Sequence, residues 1–231
     1  MAEIVPAVMP KNYEDLKNKI ALVRGFSPLV QIDICDGVLV KNKTWPFTSS
    51  IDTDLHFQKI LNEEEGLPFW EDIDFELDLM VMNGVENFDI YTKLGPKRMV
   101  FHLSPINPVS DFRDFLEGID PYIKDSIEIG VGIWLDKPVE DVFPLVNCID
   151  FVQIMGIKRI GFQGEEFDNK CIEYVKILRK KFPNLIISID GGVNFDTAPL
   201  LINNGVDRLA IGSALFNTDD IIGTLERFKN L

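Results

Sequence analysis

Short apolar runs alternate with segments of helical periodicity along the whole chain. The apolar and β-branched runs predict eight strands, at residues 4–9, 29–35, 75–82, 98–103, 127–135, 149–155, 185–190 and 208–211. Apolar residues three or four apart predict a helix after each strand, at residues 13–23, 55–62, 85–94, 112–123, 139–146, 167–182, 197–204 and 219–230. Near-continuous apolar strands separated by helices are typical of a parallel sheet covered by helices.

The number of strand–helix pairs indicates the fold class. Eight pairs in 231 residues predict an α/β protein with the (β/α)8 TIM barrel fold, and a doubly wound open sheet is the alternative. Because no linker interrupts the pattern, we expect a single domain over residues 1–231. The polar and aromatic stretch at 38–53 is long enough for a functional loop such as a lid.

The amino-acid composition limits which binding partners and which cellular compartment we expect. The net charge of −14 argues against nucleic-acid binding, and there is no run of about 18 apolar residues for a membrane span. The N-terminus lacks the basic region and apolar core of a signal peptide. Three cysteines without metal-ligand spacing fit a reducing compartment, so we expect a cytoplasmic protein without nucleic-acid or membrane partners.

Candidate chemistry begins on the second predicted strand. Alternation along that strand places Gln31, Asp33 and Cys35 on one face. A carboxylate on an inward face is costly to bury unless a partner binds it, and the active site of a barrel lies at the C-terminal ends of its strands. We therefore interpret Asp33 as a residue that takes part in the chemistry of the site. Asp36, directly before Gly37, is interpreted as a turn-capping residue.

Glycines follow the last two strands. Asp190 precedes Gly191 and Gly192, and the eighth strand is followed by Gly212 and Ser213. Glycines let backbone N–H groups approach a ligand closely, and these two loops commonly hold a phosphate in such barrels. The pattern predicts a phosphate site, with two tight turns as the alternative.

The two aspartates lie on strands two and seven, and we expect them to face each other across the barrel mouth. Opposed carboxylates suit removal of a proton from one face of a carbon and its return to the other, as in an epimerase. The alternative is a pair of turn-capping aspartates. On strand four, His102 is placed either to touch a substrate hydroxyl or, more commonly for a lone interior histidine, to bond a neighbouring polar group.

Five segments together resemble the ribulose-phosphate 3-epimerase family. Gln-Ile-Asp-Ile-Cys-Asp-Gly at 31–37 is similar to the family's His-x-Asp-x-Met-Asp-Gly, and Leu-Asp-Leu-Met-Val at 77–81 to its His-Leu-Met-Val stretch. Residues 155–167, with Gly-Phe-Gln-Gly at 161–164, resemble the family's lid after strand six. Asp-Gly-Gly-Val-Asn at 190–194 and Gly-Ser-Ala-Leu-Phe at 212–216 resemble its phosphate end.

The resemblance implies an isomerase of the pentose phosphate pathway that interconverts D-ribulose 5-phosphate and D-xylulose 5-phosphate. It implies that Asp33 and Asp190 are the acid/base pair and also bind a metal. The substrate and phosphate contacts that it implies are Met80, Met155, Gly161, Gly164, Gly191, Gly192, Gly212 and Ser213. Members of this family often form homo-oligomers, so the resemblance also implies that this chain can form a homo-oligomer.

The sequence departs from the family at the metal and in the lid. The family's two His and two Asp correspond to Gln31, Asp33, Asp78 and Asp190, and oxygen ligands favour Mg²⁺ or Mn²⁺ over Zn²⁺. The alternatives are an epimerase for another ketose phosphate and a non-catalytic sugar-phosphate-binding barrel that has lost its metal site. In the lid, Lys158 and Arg159 either meet a phosphate or are solvated.

Overall fold

Eight parallel strands close into one barrel in chain order in this computed structural model, which describes residues 2–49, 51–106 and 108–231. The first strand pairs with the last, from Glu3 opposite Arg208 to Pro6 opposite Ile211, and this pairing closes the sheet. The strands are β1 Glu3–Val8, β2 Leu29–Cys35, β3 Asp74–Met80, β4 Arg98–His102, β5 Glu128–Ile133, β6 Phe151–Met155, β7 Ile186–Asp190 and β8 Arg208–Ile211.

Helices connect successive strands on the outside of the barrel. In the described residues they are α1 Tyr13–Val23, α2 Leu55–Leu61, α3 Phe88–Thr92, α4 Val109–Gly118, α5 Pro121–Ser126, α6 Lys170–Lys181, α7 Thr197–Asn203, α8 Ser213–Phe216 and α9 Ile221–Lys229. Helix α1 packs one apolar face against the barrel. Helical spacing places Leu16, Ile20 and Val23 on that face, and all three are buried. The predicted (β/α)8 TIM barrel is confirmed. None of these helices has the length and apolar character needed to cross a membrane.

Two predicted helices differ from the observed ones. The predicted helix at 112–123 is wrong as a single element, since α4 ends at Gly118 and α5 begins at Pro121. Proline has no N–H to continue a helix but suits its first turn, and Asp120 caps the new helix by accepting from the N–H of Tyr122 at 2.8 Å. The segment predicted as a helix at 139–146 is a 3₁₀ helix over Val139–Leu145, with Pro144 inside it.

Ion pairs cross the barrel at its N-terminal end. Arg98 bonds Glu3 at 3.0 Å, and Arg208 bonds Glu128 at 2.8 Å. The buried Glu76 lies beside Arg98, and burial raises the pKa of Glu76 to about 7 although both arginines oppose the shift. These side chains fill the lower end of the barrel, so a ligand has access at the C-terminal end.

Candidate active site

A cavity of about 40 Å³ lies at the C-terminal end of the barrel. Ten of the residues singled out in the sequence line it, namely Asp33, Met80, Met155, Gly161, Gly164, Asp190, Gly191, Gly192, Gly212 and Ser213. Three further candidates for substrate or metal contact, Gln31, Asp78 and His102, lie outside its lining and are buried. The barrel therefore brings ten predicted residues from the ends of five strands, β2, β3, β6, β7 and β8, to one cavity.

Three carboxylates cluster here, with Asp33 and Asp190 in the cavity lining and Asp78 buried outside it. Oxygens of Asp33, Asp78 and Asp190 all lie within 4.8 Å of one another. Burial, together with the charges of Asp190 and Asp78, raises the pKa of Asp33 well above its ordinary value. Burial and the charge of Asp78 likewise raise the pKa of Asp190 to about 8. Without a cation, this arrangement favours retention of a proton within the cluster near neutral pH.

An apolar wall explains much of that burial. Cys35, Met80 and Met155 pack together in a small cluster with residues of the loop after β6. Cys35 stands on the same face of β2 as Asp33, and Met80 ends β3 two residues after Asp78. Alternation along each strand therefore sets one carboxylate beside one apolar side chain. The carboxylates lose water on this side, which disfavours their charged forms.

Gln31 joins the two aspartates that were expected to face each other. Its Nε2 donates to Oδ1 of Asp33 at 2.7 Å and to Oδ2 of Asp190 at 2.9 Å. Gln31 is fully buried, and its Oε1 has no hydrogen-bond partner among the described residues. Oxygen donors of this kind are those that hard cations prefer. Three clustered carboxylates and a buried amide oxygen with no partner thus fit a divalent cation.

Asp78 is held by neighbours from two other strands. Its Oδ1 lies 2.6 Å from Nε2 of His102, and its Oδ2 accepts from Nε2 of Gln153 at 3.0 Å. The indole N–H of Trp134 donates to Nδ1 of His102 at 2.8 Å. Because an indole only donates, Nδ1 accepts and the Nε2–H of His102 donates to Asp78. Both ring nitrogens of His102 therefore have protein partners, as expected of an interior histidine that bonds neighbouring polar groups.

Gln153 and Trp134 are the members of this network that sequence reasoning missed. Gln153 was detectable, because it lies in phase with Met155 on the inward face of β6. Trp134 follows β5, and nothing in its local sequence indicates that it reaches a histidine on β4. Its role depends on the register that places His102 opposite Gly132.

The glycines after β7 allow close packing against the loop that follows β6. Gly191 and Gly192 have φ of 94° and 71°, conformations that favour glycine. A Cβ on Gly192 would lie 2.7 Å from Cα of Phe167, and one on Gly191 would lie 2.8 Å from Ile157. Both glycines line the cavity, so its wall here is backbone rather than side chain.

The loop between β6 and α6, residues 156–169, covers the cavity, and we call it the lid. Asn42, from the loop after β2, donates to the carbonyl of Gly161 at 2.9 Å. A Cβ on Gly161 would lie 2.8 Å from Val40 of the same loop. The lid therefore closes against part of the stretch expected to form a functional loop. The cavity of about 40 Å³ leaves little free space beneath the lid in this conformation.

The charged residues near the lid have partners of their own. Lys158 lies 3.5 Å from Asp168, and Arg159 lies 2.8 Å from Glu165, with both basic side chains largely exposed.

Asp36 accepts from the N–H groups of Val38 at 2.7 Å and Met82 at 2.8 Å. The turn-capping interpretation of Asp36 is confirmed.

Comparison with known proteins identifies the family of this chain. The sequence profile of the Ribulose-phosphate 3 epimerase family matches residues 3–216. The cytoplasmic isoform of ribulose-phosphate 3-epimerase from Oryza sativa subsp. japonica is 27% identical over 221 residues, which cover 93% of this chain and 87% of the relative. Ribulose-phosphate 3-epimerase from Bacillus subtilis is 25% identical over 228 residues, covering 95% and 94%.

Solved structures of lower identity share the fold. KGPDC from Streptococcus mutans is 14% identical with a TM-score of 0.69, covering 100% of this chain and 96% of that one. A 3-hexulose-6-phosphate synthase is also 14% identical, with a TM-score of 0.64, covering 99% and 98%. With the profile match spanning nearly the whole sequence, the chain belongs to the ribulose-phosphate 3-epimerase family.

Proposed function

We propose that this chain is an epimerase that interconverts D-ribulose 5-phosphate and D-xylulose 5-phosphate. The observation that carries the proposal is that Asp33 and Asp190 share the amide of Gln31 beside one cavity. The same cavity is lined by Gly212 and Ser213, where the phosphate would bind. Family membership and the names of the curated relatives support the same reaction.

The two aspartates would work as an acid/base pair. One carboxylate takes the proton from C3 and leaves an enediolate, and the other, already protonated, gives its proton to the opposite face of the same carbon. One C–H bond breaks and one forms, so the composition of the sugar phosphate does not change. The reaction needs one ionised and one protonated aspartate. While no cation is bound, burial and the neighbouring carboxylates raise the pKa of both Asp33 and Asp190, which favours a proton held within the pair.

Other residues would orient and protect the reacting groups. Gln31 fixes both carboxylates through one amide nitrogen, so they approach the substrate in a set geometry. Met80 and Met155 give the cavity an apolar side that excludes water from the enediolate. The closed lid would hold the sugar phosphate in place during proton transfer.

A divalent cation fits beside this pair. Asp33, Asp78 and Asp190 would hold it. Oε1 of Gln31 would join them if the amide turned over, and the cation would then replace the Gln31 amide nitrogen in fixing the two aspartates. This oxygen-only set favours Mg²⁺ or Mn²⁺ over Zn²⁺. When bound, the cation would polarise the substrate carbonyl as a Lewis acid.

The test is conversion of D-ribulose 5-phosphate with Mg²⁺, Mn²⁺, Fe²⁺ and Zn²⁺ supplied in turn, together with solvent-hydrogen exchange at C3. We expect turnover with Mg²⁺ or Mn²⁺, and a loss of about 10²–10⁴-fold in Asp33→Asn and Asp190→Asn. The matched control is Glu166→Gln, the same chemical change on an exposed lid residue outside the cavity lining. Absence of both turnover and exchange with every cation would refute the epimerase.

Gln31 and Asp78 favour a second candidate, because they stand where the resemblance places histidines. A barrel that binds a sugar phosphate without turning it over would bind it equally well after Asp33→Asn, as measured by calorimetry. An epimerase for another ketose phosphate would instead show turnover with a different member of a panel of pentulose and hexulose phosphates. We propose a cytoplasmic location, in line with the rice relative's name. The homo-oligomer stays a prediction that sedimentation analysis would check.

A further inference from the structure

Two small residues leave a notch in the barrel rim where β1 meets β8. Ala7 lies near the end of β1, and Gly212 directly follows β8. A Cβ on Gly212 would lie only 2.5 Å from Nε2 of Gln163, and the same Nε2 donates to the carbonyl of Ala7 at 3.2 Å. The notch therefore accommodates an amide that the lid carries into the barrel mouth.

The amide has donor capacity left. An amide nitrogen carries two N–H groups, and the bond to Ala7 is at the long end of the range for hydrogen bonds. The bond to Ala7 places the amide end of Gln163 in the barrel mouth, while the residue as a whole is exposed to solvent. The amide lines the same cavity as Gly192 and Ser213, at the end where the phosphate would bind.

The lid's other polar side chain at the cavity is less suited to meet an anion. Glu165 also lines the cavity, but it is a carboxylate and is paired with Arg159 at 2.8 Å. Gln163 is thus the neutral donor that the lid presents to the phosphate end. Because Gln163 lies on the lid, its amide can reach a bound ligand only when the lid is closed. A hydrogen bond from Gln163 to the ligand would therefore form as the lid closes.

We propose that Gln163 is a substrate-contacting residue that donates from Nε2 to the phosphate group and makes lid closure selective for phosphorylated ligands. The proposal rests on the proposed function only in assigning a phosphate to the glycine-lined end of the cavity. A sugar without a phosphate would leave the amide with Ala7 alone, so closure over such a sugar would gain no bond from this residue.

The experiment is calorimetric titration of the full-length protein with inorganic phosphate, for wild type, Gln163→Ala and Gln163→Glu. Loss of one hydrogen bond to a charged group predicts a Kd about tenfold higher in Gln163→Ala. A carboxylate facing the anion predicts a Kd roughly 100-fold higher in Gln163→Glu. Asn169→Ala and Asn169→Asp repeat the same chemical changes at an exposed position of the lid whose side chain makes no capping bond, and they should stay within about twofold of wild type.

The contrast between the two Gln163 variants separates ligand contact from a simple latch. Neither Ala nor a carboxylate can donate to the carbonyl of Ala7, so a latch would be lost equally in both. Equal effects in the two variants, or Kd values within twofold of wild type, would overturn the proposal. Urea denaturation of each variant shows that a changed Kd does not come from unfolding.

The outcome also separates this proposal from the proposed function. A wild type that epimerises ribulose 5-phosphate while both Gln163 variants bind phosphate normally refutes the role of Gln163 alone. A wild type without turnover that still shows the graded loss from Ala to Glu refutes the epimerase and supports Gln163. A wild type that binds no phosphate refutes the role of Gln163 whatever its turnover.

Discussion

A single methyl group at Gly132 would break the network behind the carboxylates. A Cβ at this position would lie 2.5 Å from Nδ1 and 2.7 Å from Cε1 of His102, about 0.9 Å inside the 3.4 Å at which ordinary contact begins. The imidazole cannot yield without loss, because Trp134 bonds it at 2.8 Å and Asp78 at 2.6 Å. The variant Gly132→Ala therefore displaces His102 by nearly 1 Å and separates it from at least one partner.

The cost follows from these contacts. Overpacking a buried site costs about 1–3 kcal/mol. Loss of a hydrogen bond to a charged group such as Asp78 costs about 1.5–3 kcal/mol. We therefore expect Gly132→Ala to lower the free energy of unfolding by about 3–5 kcal/mol, measured by urea denaturation at unchanged m-value. The indole N–H proton resonance of Trp134 should shift upfield as its bond to His102 lengthens.

Gly118→Ala is the matched control, because a Cβ there would meet nothing within 4 Å. It lies at the end of α4, where alanine favours the helix, so the stability should stay within about 1 kcal/mol of wild type. A loss under about 1 kcal/mol in Gly132→Ala, with the indole resonance unmoved, would refute the steric reasoning.

Three further changes test the loop core, the glycine turn and the lid. Trp45→Ala removes a fully buried ring and should cost about 3–5 kcal/mol in urea denaturation, whereas a loss near zero would place that ring outside the core. Gly192→Ala forces a side chain onto φ 71° and against Phe167, so limited proteolysis should cut the lid faster; an unchanged rate would contradict this. Asn42→Ala removes the bond to Gly161 and, in the proposed epimerase reaction, should raise the KM for ribulose 5-phosphate about 2–10-fold at similar kcat; an unchanged KM would argue against this contact as a latch.

Much of the fold and part of the site were predictable because their signals are local. Each strand is a nearly continuous apolar run, and the glycines at 191 and 192 follow such a run directly. Asp33 is detectable because a carboxylate interrupts the apolar pattern of β2 on its inward face. Once the barrel is assumed, the side chains at the strand ends must share one mouth.

The rest depends on contacts between distant segments. The bond from Trp134 to His102 requires the exact register of β4 and β5, and the reach of Gln163 to Ala7 depends on how the lid folds. Gln31 was identified as a ligand position, but its amide contact with both aspartates depends on the width of the closed barrel. The break between α4 and α5 was visible at Pro121, yet the apolar spacing on either side continues across it.

The pairing of β1 with β8 sets a condition on folding during synthesis. Glu3 and Arg208 are opposite each other and ion-paired, yet about 200 residues separate them along the chain. At roughly 5–20 residues per second, the ribosome would deliver β8 about 10–40 s after β1. Throughout that interval the outer edge of β1 has no strand to pair with, and an open edge is a site for association with other chains. Closure of the barrel is thus a late event that the last quarter of the chain controls.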